Sequence, residues 1–145
     1  MVDIYVEYEG DLHCSAQHGP SGAVLATDAP VDNHGRGSSF SPTDLVATAL
    51  GTCMSTVMGI LARKREQTLT GLRVHVKKQM TPPPRRIARL SVELTFPPAV
   101  TASVGLEGRA ALEHEALHCP VRLSLLDAIE VPVSFDWQAA PRDED

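Results

Sequence analysis

Residues 2–9 alternate, with Val2, Ile4 and Val6 on one side and Asp3, Tyr5 and Glu7 on the other, the period of an amphipathic strand. Two further short strands fall at about 11–18 and 22–28, punctuated by Gly10 and by Gly19-Pro20. Residues 29–40, APVDNHGRGSSF, hold the breakers of a loop. The pattern then changes, and no charge interrupts the chain from Leu45 to Ala62. A Ser41 N-cap, Pro42 at the first helical position and Asp44 three residues after the cap predict where this helix begins. The helix is apolar on most faces and dotted with Ala47, Ala49, Gly51, Ser55 and Gly59, so neighbours can approach it from several sides. Arg63-Lys64-Arg65 returns it to water and complements its dipole.

Leu72, Val74 and Val76 alternate with Arg73, His75 and Lys77, and Leu90, Val92, Leu94 and Phe96 alternate with Ser91, Glu93 and Thr95. TPPPRR turns one strand into the other, and Pro97-Pro98 stops the second. Residues 101–117 predict a helix despite Gly105 and Gly108, and Pro120 opens a second helix to about Ala128. EVPVSFDW, residues 130–137, predicts a closing strand with Trp137 in the core. The order of strands, long helix, strands, helices and strand gives an α+β fold rather than regular βαβ alternation. We expect a single domain over 1–138 and a mobile polar tail over 139–145.

Composition narrows the function classes. A chain of 145 residues can bury a core without disulfide staples, and a net charge of −5 supplies no field for nucleic acid. Residues 45–62 reach the lower length limit of a membrane span, but their Thr, Ser and Gly content predicts a core helix and no membrane partner. The N-terminus shows no signal-peptide pattern, and three cysteines with no short-spaced pair fit a reducing, cytoplasmic setting.

Two motif matches are weak. HEALH, residues 114–118, fits the zinc-protease pattern, yet His118 precedes Cys119-Pro120, where the helix must end, and no later histidine supplies a third ligand. A zinc site through His114, His118 and Cys119 is the least favoured reading, and GRGSSF lacks the context of a phosphate loop. His118 either packs at the helix end or acts as a base beside Cys119. Cys119 falls at the N-cap of the next helix, where backbone N–H groups should lower its pKa, whereas Cys53 sits mid-helix among apolar residues. From the residues alone both cysteines remain open between packing and chemistry, and Cys14 reads as a buried strand residue.

FSPTDLVATALGTCMSTVMGI, followed about 66 residues later by HCPVRLSL, resembles the OsmC/Ohr family of osmotically induced and organic hydroperoxide resistance proteins. The likeness extends over nearly the whole chain, from the TDAP strand end through the glycine-rich loop to the strand ending in Trp137. It implies an intertwined homodimer in which a long buried central helix packs between antiparallel sheets. It also implies a thiol peroxidase, with Cys53 attacking an organic hydroperoxide and becoming a sulfenic acid that Cys119 resolves to a disulfide. No cofactor is implied beyond an external dithiol reductant, which by analogy is a lipoylated protein. The family's hydroperoxidases carry a glutamate ten residues before the first cysteine. Thr43 stands there in this chain, with the acidic Asp44 next to it. The family also draws an arginine from the segment ahead of the helix, for which Arg36 is the only candidate. The alternative is a small-molecule binding protein that keeps the fold without turnover.

Overall fold

The computed structural model describes residues 1–139; the rest of the expected polar tail lies outside the described residues. The chain forms two compact units, Met1–Val46 and Ala47 onward. In the first, β1 (Ile4–Gly10), β2 (His13–His18) and β3 (Val24–Asp28) make an antiparallel meander, followed by a single 3-10 turn at Val31–Asn33. The alternation of β1 predicts one covered face, but none of its side chains is buried: Ile4, Tyr5, Val6 and Tyr8 all stand exposed on both faces.

The loop after β3 is fastened by Asp28, which is buried. Strand register sets His13 opposite it, and His13 Nδ1 lies 2.6 Å from Asp28 Oδ1 while Ser38 Oγ donates to Oδ2. The Asp28 N–H donates to the Phe40 carbonyl at 3.1 Å, and Ser39 Oγ donates to the Ala26 carbonyl at 3.0 Å. The Ser38 and His13 hydrogen bonds hold the Asp28 carboxyl below the usual carboxylate range. Because its pKa is lower in the folded state than in the unfolded chain, ionised Asp28 stabilises the fold above about pH 4. That contribution fades as pH falls through the folded-state value. Asp28→Asn is therefore less stable at pH 7 and loses less of its stability between pH 5 and pH 2, as read from urea midpoints across that range. Parallel pH profiles for the two proteins would show that the carboxylate carries no such linkage.

Helix α1 (Pro42–Lys64) begins as the sequence predicts. Ser41 N–H donates to Asp44 Oδ2 at 2.9 Å and Asp44 N–H donates to Ser41 Oγ at 3.1 Å, a reciprocal capping box. By length and composition α1 could cross a membrane. In this fold Ala47, Leu50, Gly51, Met54, Met58 and Ala62 form a buried face. The close approach is at Gly51, where an added Cβ would lie 3.0 Å from Val76 Cγ2 and 3.3 Å from Val74 Cγ1.

Those valines belong to β4 (Arg73–Met80), which pairs with β5 (Ile87–Phe96), and β5 pairs with β6 (Val133–Trp137). β4–β5 is antiparallel, but β5–β6 is parallel, which corrects the expectation of antiparallel sheets. The reason is the connection. Parallel neighbours need a long crossover, and α2 (Pro98–Leu117) and α3 (Pro120–Ser124) supply it. Leu90, Val92, Leu94 and Phe96 alternate inward and are buried, while Ser91, Glu93 and Thr95 point outward.

Helix α2 starts earlier than expected, because Pro97 is its N-cap and Pro98 its first residue, so the prolines that end β5 also open the helix. Val100, Val104, Gly108, Leu112 and Ala116 repeat every four residues on its buried side. Gly105, at φ 72° and ψ 170°, breaks the helix, and side-chain donors reach two carbonyls just before it: Gln67 Nε2 to Ser103 at 3.4 Å and Arg109 Nη2 to Thr101 at 3.5 Å. α3 stops at Ser124 instead of about Ala128, since none of its residues is buried and a single turn has little to sustain it.

Candidate active site

The second unit brings Cys53 and Cys119 together. Cys53 lies on a half-buried row of α1 with Ala49 and Val57, one position each i−4 and i+4 from it. On one side of that row is the buried face; on the other is an exposed row of Thr48, Thr52 and Thr56. Thr52 Oγ1 and Thr56 Oγ1 each donate to the carbonyl four residues back at 2.8 Å, and Ser55 Oγ does so at 2.9 Å. With their hydroxyls so engaged, Thr52 and Thr56 present mainly methyl groups outward.

Cys119 is fully buried and caps α3, its Sγ accepting the Arg122 N–H at 3.4 Å. The sequence reading of an N-cap is correct, but the expected lowering of its pKa is not. Burial pushes the Cys119 thiol up and outweighs the Arg122 N–H, and the neighbouring Cys53 side chain raises it further. A single helical turn has too small a dipole to offset the desolvation of a sulfur with no solvent exposure. Both thiols are free.

Asp44 serves the capping box at the start of α1. Arg36 projects from the loop with its guanidinium 3.8 Å from the Asp11 carboxylate, and both side chains are largely in solvent. The imidazoles of His114 and His118 are exposed while Cys119 is buried against Cys53, so the three do not converge as zinc ligands. Among the described residues no group of three or more His, Cys, Asp or Glu side chains could hold a metal ion. A groove of about 370 Å³ opens over the outer face of the second sheet between His75, Lys77, Glu93 and Ser134, and neither cysteine lines it.

Sequence reasoning missed the His13–Asp28–Ser38 network, because its members are 15 and 10 residues apart and meet only through strand register and the folded-back loop. It also missed how Trp137 is held. Its ring stacks on Phe96 with centroids 3.6 Å apart, its Nε1–H donates to Glu113 Oε1 at 2.8 Å, and Arg109 lies over it at 5.6 Å.

Comparison with known proteins agrees with this architecture. The family described as OsmC-like protein matches residues 35–134. A candidate osmotic stress induced and detoxification response protein from Psychrobacter arcticus is 39% identical, with a TM-score of 0.84 over 93% of this chain and 96% of that one. The chain belongs to the OsmC-like protein family. Its fold is shared with an organic hydroperoxide resistance protein OsmC from Legionella pneumophila, at 15% identity and a TM-score of 0.70 over 94% of this chain and 96% of the other. A candidate organic hydroperoxide resistance protein from Vibrio cholerae, with captopril bound in one of its active sites, has the same fold at 17% identity and a TM-score of 0.71, covering 96% and 93%. No curated protein sequence matches the chain significantly.

Proposed function

We propose that the protein is a thiol peroxidase that reduces organic hydroperoxides through Cys53 and Cys119. The observation that carries this reading is the pairing of a half-buried Cys53 thiol with a fully buried Cys119 thiol as close neighbours. Accessibility and protonation divide the roles. Solvent-borne peroxide can meet Cys53, whereas Cys119 is shielded and held as a thiol. The Cys53 thiolate attacks the distal peroxide oxygen, the O–O bond breaks, and the alkoxide takes a proton and leaves as an alcohol. The sulfenic acid then condenses with the Cys119 thiol, giving a disulfide and water. An external dithiol returns both sulfurs to thiols and is itself oxidised.

Ala49 and Val57, the half-buried neighbours of Cys53 on the helix, are apolar, which favours an organic hydroperoxide over hydrogen peroxide. A homodimer fits this reading, because the uncovered β1 faces and the methyl-presenting threonine row of α1 are surfaces that a second copy would bury.

The test is direct. Reduced protein is mixed with cumene hydroperoxide or hydrogen peroxide under a dithiol, and peroxide loss is followed. Catalytic loss, faster with cumene hydroperoxide, is the expected result. No loss of either peroxide, with Cys53 still a free thiol, would replace the enzyme by a binding protein on the same fold.

A further inference from the structure

The last turn of α2 carries His114 and its C-cap is His118, four residues on and likewise exposed. Their rings lie 4.2 Å apart between centroids with planes tilted by 30°. His118 Nδ1 is 2.7 Å from the His114 carbonyl oxygen, an atom that can only accept, so Nδ1 carries the proton and donates it there. The neutral His118 ring therefore has its lone pair on Nε2. A backbone carbonyl that fixes the tautomer and orientation of an imidazole is the usual outer support of a metal-ligating histidine.

We propose that His114 and His118 form a two-histidine surface site for a divalent transition-metal ion, with water completing its coordination. Two nitrogens bound to one ion at about 2.0–2.1 Å each stand at most about 4.2 Å apart. With the two rings adjacent, rotation of the His114 side chain can bring one of its nitrogens within that distance of His118 Nε2 while the His118 hydrogen bond and the helix stay as they are. The ion would sit at the C-terminal end of α2, where the helix dipole favours positive charge. Imidazole pairs select nickel, copper or zinc over calcium or magnesium. The site is separate from the Cys53–Cys119 pair, since Cys119 turns its sulfur inward. It does not depend on peroxide reduction.

Nickel and then zinc, each alone, are titrated by calorimetry into reduced protein at pH 7.5. A single site is expected, weakened about tenfold or more by His114→Ala and equally by His118→Ala. Cys119→Ser and Cys14→Ser leave it unchanged, and zinc shifts the ring-proton resonances of both histidines together at one equivalent. Absence of binding at 1 mM of either ion, on the order of −4 kcal/mol or weaker, overturns the proposal. So does binding that survives either histidine substitution or disappears with a cysteine substitution.

Discussion

With serine in place of Cys53, consumption of cumene hydroperoxide falls to the uncatalysed background, a loss on the order of 10³-fold or more. An ordinary cysteine thiol with a pKa of about 8.5 supplies roughly 3% thiolate at pH 7, and thiolate is the species that attacks peroxide. A serine hydroxyl supplies essentially no anion and a harder, poorer nucleophile. Cys119 cannot take over, because it has no exposed surface and burial holds it protonated. The companion substitution Cys119→Ser behaves differently. Cys53 still reacts once, so one equivalent of peroxide per chain disappears, but no disulfide follows and the sulfenic acid persists until dithiol or more peroxide reaches it. Mass spectrometry separates the two states: one added oxygen in Cys119→Ser, the loss of two hydrogens in the unsubstituted protein. Full turnover in Cys53→Ser would remove Cys53 from the nucleophile's role, and a disulfide in Cys119→Ser would move resolution to another thiol. Circular dichroism checks that each variant is folded.

What the sequence disclosed followed locality. The start of α1 was readable because its signals, Ser41, Pro42 and Asp44, lie within four residues and act on one another. The β4–β5 hairpin was readable from strict alternation on both sides of a short turn. Cys119 as N-cap was readable from the proline beside it. The misses were of longer range. A parallel β6 cannot be told from an antiparallel one by its own five residues, since only the crossover through α2 and α3 decides the direction. The protonation of Cys119 depends on how much chain covers its sulfur, and no neighbour in sequence reports that. The pairing of two cysteines 66 residues apart came from family resemblance, because neither helix alone indicates where the other lies.

The crossover that sets the direction of β6 also positions Cys119, and one aromatic layer closes it. Phe96 ends β5 and Trp137 ends β6; they are register partners and stack with planes 9° apart. The chain between them contains α2, α3 and Cys119, and Trp137 is joined to α2 through Glu113 and Arg109. Phe96→Ala removes a fully buried ring and one half of the stack. The expected cost is about 3–5 kcal/mol, which for a chain of this length lowers the unfolding midpoint by roughly 10 °C or more. Trp137 is the only tryptophan, so its fluorescence reports both unfolding and the loss of the stack. Phe96→Leu keeps most of the volume and should cost roughly half as much. The site should register the same change: with the layer loosened, Cys119 is less firmly held against Cys53, and disulfide formation after oxidation slows even below the melting transition. A cost under about 1 kcal/mol for Phe96→Ala would mean that the neighbouring side chains collapse into the space and that this layer does not clamp the crossover.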